Sequence, residues 1–430
     1  MAAGHLSPNI DAGSQRVRAD RRIRCEILIG AAMVLAVAAV LYGVYPYRRA
    51  RIVAGPLVQV SADGTLLVAW QTAGATRSRL DVHLADAASQ RPGSVVSPRP
   101  REALSIEPAG ADGRFVAILP RVLTNRARFS YSLTTSMLLG DRSKGPWRIS
   151  PPRVGSPFRF VVFGESGGAA RPGTMAAAIL KTEPHLVLHI GDLIYETGQW
   201  PGDYGGLYRE QFCEPYEALI SSVPFMPVIG GHEARVEGGG PFRRFFALPQ
   251  DGPNGVAAGL SYWFDYGPAR FVAIDTSAPA EAMQGRIVPW LRAVLGDTAT
   301  SWKFVCMERS PYTGGPNPAD ENIQRILVPA FEAVGVDAVF SAGHHLYERT
   351  HPMVKGEIRP VSEGVVYVTT GAGGRGLSTG KQPLPPYVAA CEDRSYSFTF
   401  VELDGGRLHM RQVGEYGQLI DDWWFAKPTR

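Results

Sequence analysis

Seven short apolar runs constrain this chain more than any other feature: Phe158–Phe163, Leu186–Ile190, Phe225–Ile229, Phe271–Ile274, Lys303–Met307, Ala338–Ser341 and Val365–Thr369. Most are β-rich and apolar at successive positions, which suits strands buried on both faces. Stretches with helical spacing lie between them, at Thr174–Lys181, Pro289–Leu295 and Asn322–Val334. Strands alternating with helices predict an α/β or α+β domain with a largely buried sheet.

Five runs end in a polar or glycine-rich cluster. Phe163 leads into Gly164-Glu165-Ser166-Gly167, and Ile190 into Gly191-Asp192-Leu193-Ile194-Tyr195. Ile229 leads into Gly230-Gly231-His232-Glu233, and Met307 into Glu308-Arg309-Ser310-Pro311-Tyr312. Ser341 leads into Ala342-Gly343-His344-His345-Leu346-Tyr347-Glu348-Arg349. Ligands of open α/β sheets bind beyond the carboxyl ends of the strands, so these clusters are expected to converge. Their carboxylates, imidazoles and phenol suit a hard or borderline cation such as iron, zinc or manganese. A single Gly-Asp after a strand is an ordinary turn, and a single His an ordinary hydrogen-bonded side chain. Five clusters in the same context point to one shared site.

The N-terminal third reads differently. Ile27 to Tyr45 is an almost unbroken apolar run, preceded by Arg16, Arg18, Arg21, Arg22 and Arg24 and followed by Arg48, Arg49 and Arg51. That length suits a bilayer-spanning helix, assigned to residues 27–47. The heavier basic flank predicts a cytoplasmic tail over residues 1–26 and an extracytoplasmic body in a single-pass membrane protein. A cleaved leader is the alternative, with Ala36-Val37-Ala38 as a weak cleavage-like triplet, but the run continues past it into arginines. From residue 55 to 152 short alternating segments separated by Gly, Pro and Asp turns predict a small β-sandwich.

Charge excludes one class of partner. The formal net charge is +4, but residues 1–54 hold eight Arg against three acids, leaving 36 basic and 37 acidic residues beyond. The body therefore has no net attraction for polyanions, and no nucleic-acid partner is expected. Cys25, Cys213, Cys306 and Cys391 form no CxxC pair and carry no metal-ligand spacing.

The order of clusters resembles the calcineurin-like metallophosphoesterases, and within them the purple acid phosphatases. That family reads GDxG, GDxxY, GNHE, HxPxY and GHxHxYER; this chain reads GESG, GDLIY, GGHE, ERSPY and AGHHLYER. The resemblance runs from about Gly55 to the C-terminus. It implies a four-layer α/β (α+β) metallophosphoesterase sandwich over residues 157–430, and a fibronectin type III-like character for the preceding sandwich. By position it also implies a first metal ion held by Glu165, Asp192, Tyr195 and His345, and His232 as the residue that contacts phosphate or protonates the leaving group.

The second ion of the family fares worse here. It would keep Asp192, but its Asn is Gly231, one His is Glu308, and the first His of GHxH is Gly343. The resemblance thus implies one metal ion (iron, zinc or manganese), or two if Asp192, Glu308 and His344 rebuild the second site. The function implied is metal-dependent hydrolysis of phosphomonoesters, with a phosphorylated small molecule or phosphate as partner. The alternative is an inactive, membrane-anchored binding or scaffolding module. Two further segments have plain readings: Gly371–Gly376 as a tight turn beneath the site, and Trp423-Trp424-Phe425 as packing of a C-terminal strand.

Overall fold

Two mixed sheets face one another across an aromatic core, and their strand ends carry the polar clusters. The computed structural model describes residues 27–38, 51–73, 77–84, 103–110, 113–123, 128–137, 140–196, 203–296, 298–360 and 363–427. One sheet has six strands in the order Phe225–Val228, Leu186–Ile190, Phe158–Phe163, Ser397–Asp404, Arg407–Gly414 and Leu419–Ala426. The other has seven: Tyr262–Tyr266, Ala269–Ile274, Trp302–Met307, Ala338–Ser341, Val366–Thr370, Tyr347–Thr350 and Val388–Glu392. The first three strands of the six-stranded sheet are parallel, as are four central strands of the seven-stranded sheet.

Alternation along each strand sends one set of side chains between the sheets and the other toward helices. Phe160 meets Phe271 and Phe304 at 5.2 Å and Phe340 at 5.9 Å between ring centroids, so the inter-sheet layer is built from phenyl rings. On the outer face of the seven-stranded sheet, Val272, Ile274, Val305 and Val339 pack with Leu291, Leu295 and Phe331 from the helices Val288–Gly296 and Val328–Val334. A helical layer and two mixed sheets therefore stack against one another.

The helix expected over Asn322–Val334 is divided into Glu321–Ile326 and Val328–Val334. Pro329 falls at the start of the second piece, where its missing N–H costs nothing. The C-terminal triplet lies on the strand Leu419–Ala426, with Phe425 buried and Trp424 exposed beneath the Arg407 guanidinium at 4.7 Å.

Ahead of this domain, seven strands among the described residues form a three-stranded sheet (Arg51–Val60, Leu66–Ala73, Arg114–Ile118) and a four-stranded sheet (Ala103–Ile106, Arg77–Leu84, Phe129–Met137, Gly140–Ile149). Residues of both sheets share one apolar cluster with the larger domain. Polar contacts seal the junction. The buried Tyr131 hydroxyl donates to the Ser221 carbonyl at 2.8 Å, Ala247 N donates to Gln59 Oε1 at 2.8 Å, and Arg114 donates to the Phe246 carbonyl at 3.0 Å.

Of the apolar run expected to span a membrane, residues 27–38 are helical with exposed side chains; residues 1–26 and 39–50 lie outside the described residues. Among the described residues no helix is long and apolar enough to cross a membrane, and the later part of the 27–47 run lies outside them.

Candidate metal centre

The carboxyl ends of five strands, three from the six-stranded sheet and two from the seven-stranded one, meet along one edge of the sandwich. Backbone bonds lock the meeting line: Gly164 N donates to the Thr370 carbonyl at 2.9 Å, and Gly373 N to the Gly164 carbonyl at 3.0 Å. Two carboxylates enter on strained backbone. Glu165 has φ 58° and Asp192 φ 54°, a region non-glycine residues seldom occupy and one that recurs at functional sites. Their loops hold each other, with Glu165 N donating to the Gly191 carbonyl at 3.2 Å and Gly167 N to the Asp192 carbonyl at 3.1 Å.

Glu165 is the hub of the site and is buried. Its Oε1 accepts Gly343 N–H at 2.8 Å, and its Oε2 accepts the Tyr195 hydroxyl. His345 Nε2 lies 3.2 Å from the same Oε2 and 3.5 Å from the Tyr195 oxygen. Glu165, Tyr195 and His345, named from the sequence as part of one set, are therefore in contact.

Asp192 completes that set from the other side. Its Oδ1 accepts His232 N–H at 3.0 Å, and its Oδ2 lies 3.9 Å from His232 Nε2. Glu165, Asp192 and Glu308 each place a carboxylate oxygen within 4.8 Å of the other two. Burial, and then the neighbouring charges of Glu165, Glu233 and Glu308, push Asp192 up to about 9. Burial and then Glu165 push Glu308 up to about 7. Burial and the nearby acids likewise raise the Tyr195 phenol. Buried acids this close repel one another when ionised, and a cation among them relieves the repulsion.

Glu308 occupies space that two departures from the family pattern provide. A Cβ on Gly231 would sit 3.1 Å from Glu308 Oε1, so a side chain there would require the carboxylate to shift by a few tenths of an ångström. The Gly231 N–H instead donates to Glu308. Gly231 and Glu308, which stand where the family has Asn and His, are thus neighbours, and Glu308 joins Glu165 as well as Asp192.

His344 is placed otherwise than the rebuilt second site expected. It is buried, and its Nδ1 faces the backbone of Gly315, where an added Cβ would come within 2.5 Å. It is not part of the three-carboxylate group. Burial, followed by the charge of Lys381, lowers its basicity.

The donor set fits a cation. Carboxylate, phenol and imidazole donors converge, and among the described residues no Lys or Arg lies within salt-bridge distance of the three carboxylates. Hard, oxygen-rich surroundings with one imidazole suit iron, manganese or zinc.

Three supporting residues escaped the sequence reading. Glu233, fully buried, accepts the backbone N–H groups of Asp192, Ile194 and Gly230 at 3.1, 2.9 and 3.0 Å, and so fixes two loops at once. Gln211 accepts Tyr195 N–H at 2.8 Å and donates to its carbonyl at 3.0 Å. Arg375 lies with its guanidinium carbon 4.3 Å from the Tyr195 ring centre. Glu233 follows His232 directly in its cluster and Arg375 lies inside the Gly371–Gly376 segment; nothing in the sequence marks Gln211.

The family model described as calcineurin-like phosphoesterase matches residues 158–347, which carry four clusters whole and the fifth as far as Tyr347. Mouse acid phosphatase type 7 is 26% identical over 63% of this chain and 68% of its own length. An Arabidopsis thaliana relative described as a probable inactive purple acid phosphatase is 25% identical over 73% of this chain and 57% of its own. A solved purple acid phosphatase from yellow lupin seeds superposes with a TM-score of 0.70 at 18% identity, covering 86% of this chain and 74% of that one, which speaks for the fold. Family match and relatives agree with the strand-end site and, with the fold, support a purple acid phosphatase-like metallophosphoesterase.

Proposed function

We propose that the chain hydrolyses phosphomonoesters at a metal centre built from Glu165, Asp192, Tyr195 and His345, with Glu308 as an added carboxylate in place of the family's second ligand set. The observation that carries this reading is the buried group of three carboxylates within 4.8 Å of one another. Such a group is costly to keep without a cation. A cation bound there supplies Lewis-acid polarisation of a phosphoryl oxygen and activation of water.

The remaining work falls to this chain's own side chains. Glu165, through its bonds to Gly343, Tyr195 and His345, orients the phenol and imidazole before any ligand arrives. Glu233 keeps the Asp192 loop and the Gly230 turn in register. His232 is part exposed, its ring 4.1 Å from the Tyr195 ring, and so stands where a substrate oxygen can reach it. It donates a hydrogen bond or a proton to the leaving-group oxygen.

Two structural expectations are carried here as part of the same proposal. The three-plus-four division of the N-terminal strands supports a fibronectin type III-like module. The arginines on both sides of the 27–47 run support a single-pass anchor with the body outside the cytoplasm.

The inactive binding module is the second reading. Gly231, Glu308 and Gly343 stand where the family has ligands, and a relative's own name calls it probably inactive. The deciding experiment is elemental analysis of the full chain supplied with iron, zinc and manganese, paired with hydrolysis of p-nitrophenyl phosphate. Bound metal with turnover that disappears in Asp192→Ala supports the hydrolase. Bound metal without turnover favours the module, and no metal, or unchanged metal in Asp192→Ala, sinks the assigned centre.

A further inference from the structure

The charge balance around this site is unusual for one that must admit a phosphate. Glu165, Asp192 and Glu308 crowd together, and the three family ligands that serve only the second cation are absent. A phosphoryl dianion approaching such a set needs a positive partner from the protein. Of the basic residues near the mouth, Arg309 pairs with Asp320 at 3.1 Å and the Lys381 ammonium donates to the Asn317 carbonyl at 3.3 Å, while the exposed Arg235 acts on His232 and Glu308 by its charge.

Arg375 is not engaged in that way. It is exposed, and among the described residues no carboxylate lies within salt-bridge distance of it. Its side-chain donors are nearly unspent: one contact, from Nη1 to the Gly167 carbonyl, sits at the 3.5 Å limit. Yet the residue is anchored, not loose. Its backbone N–H donates to the Glu165 carbonyl at 3.0 Å, and its guanidinium lies over the Tyr195 ring at 4.3 Å. Gly168 makes the room: at φ +64°, an added Cβ would sit 2.7 Å from Arg375 Nη1.

We infer that Arg375 binds the phosphoryl group, its guanidinium supplying the positive charge that a second cation supplies in the family's two-ion site. A guanidinium stays charged at all working pH values and offers paired N–H donors that match two phosphate oxygens. Placement over Tyr195 presents those donors beside the candidate metal centre, where the phosphoryl oxygens must lie if the phosphohydrolase reading, on which this inference rests, is correct. The Gly371–Gly376 turn is then a phosphate-positioning loop, and Arg375 selects dianionic monoesters over monoanionic diesters.

The test is calorimetric titration of the metal-loaded full chain with inorganic phosphate, for the natural sequence, Arg375→Ala and Arg375→Lys, with metal content measured on each sample. Loss of a bidentate charged contact weakens binding ~tenfold or more. The expected result is that loss in Arg375→Ala with metal content unchanged, and only partial recovery in Arg375→Lys. Equal phosphate affinity in Arg375→Ala overturns the assignment of Arg375 while leaving the hydrolase reading standing. Lost metal in Arg375→Ala overturns it too, by showing a structural role. A natural protein that holds metal yet binds no phosphate overturns both readings.

Discussion

Replacing Glu308 with glutamine should strengthen the metal-free protein and weaken the metal-loaded one. Glu308, Glu165 and Asp192 keep carboxylate oxygens within 4.8 Å of one another. At that separation and an effective dielectric near 20, one pair of like charges costs about 3 kcal/mol. The rise of Glu308 from 4.5 to about 7, caused by burial first and Glu165 second, gives the same size at about 1.4 kcal/mol per pK unit. The sign follows from proton binding. A carboxyl whose folded pKa is raised keeps its proton in the folded chain where the unfolded chain has released it. Metal-free stability is therefore full below the unfolded value of 4.5 and is lost as the pH rises through about 7. Glutamine keeps the shape and an acceptor for the Gly231 N–H while removing the charge.

Urea unfolding of the full chain with a chelator is the assay. Near pH 8 the Glu308→Gln chain should be more stable by about 2–3 kcal/mol, and near pH 5 the gap should shrink toward zero. Saturating metal should reverse the order, because a carboxylate that favours the cation is gone. Equal destabilisation at both pH values, with and without chelator, would show that Glu308 belongs to no charge cluster and would refute the reasoning.

Three further outcomes are expected. His232→Ala should lower kcat by ~10²–10⁴-fold with metal content intact; lost metal would make His232 part of the metal-binding set instead. Asp421→Asn breaks a partly buried pair in which Asp421 accepts from Arg349 at 2.7 and 3.2 Å and from the Tyr347 hydroxyl at 2.6 Å. The expected cost is about 2–3 kcal/mol near neutral pH. Burial alone would raise Asp421, but the bonds from Arg349 and Tyr347 outweigh it and hold it below 3.8. Its contribution is thus present above 3.8 and lost as the pH falls through the lowered value, so the mutant and natural curves should merge in acid. Tyr131→Phe leaves the buried Ser221 carbonyl without its 2.8 Å donor and should cost about 1–2 kcal/mol in unfolding free energy. An unchanged denaturation midpoint would mean that this contact does not hold the two domains together.

Much of the fold was legible because burial leaves a signature in the sequence. Phe158–Phe163 and Leu186–Ile190 were expected with the bounds later observed, since a strand covered on both faces must be apolar throughout. The strands Tyr347–Thr350 and Val388–Glu392 were not expected as such, because they lie outside the parallel centre and carry polar residues. The helix over 322–334 was read as one because its apolar spacing is continuous, while the structure divides it beside Pro329. At the site, Glu165, Asp192, Tyr195 and His345 follow from the family resemblance of the clusters that hold them, but Glu233, Gln211 and Arg375 do not. Their roles depend on contacts across sequence separations of 41, 16 and 208 residues, which no local pattern encodes.

The sequence by itself determined the order of strands and helices, the five clusters at strand ends, and the replacement of three family ligands by Gly231, Glu308 and Gly343. Those are properties of a residue and its near neighbours. Tertiary structure alone decided that Glu308 fills the space beside Gly231, that His344 faces Gly315 and leaves the carboxylate group, and that Arg375 lies over Tyr195. Each of those facts is a distance between chain segments brought together only when the two sheets close. A site's charge and room are set by that closure, so the same residues could be named in advance while their partners could not.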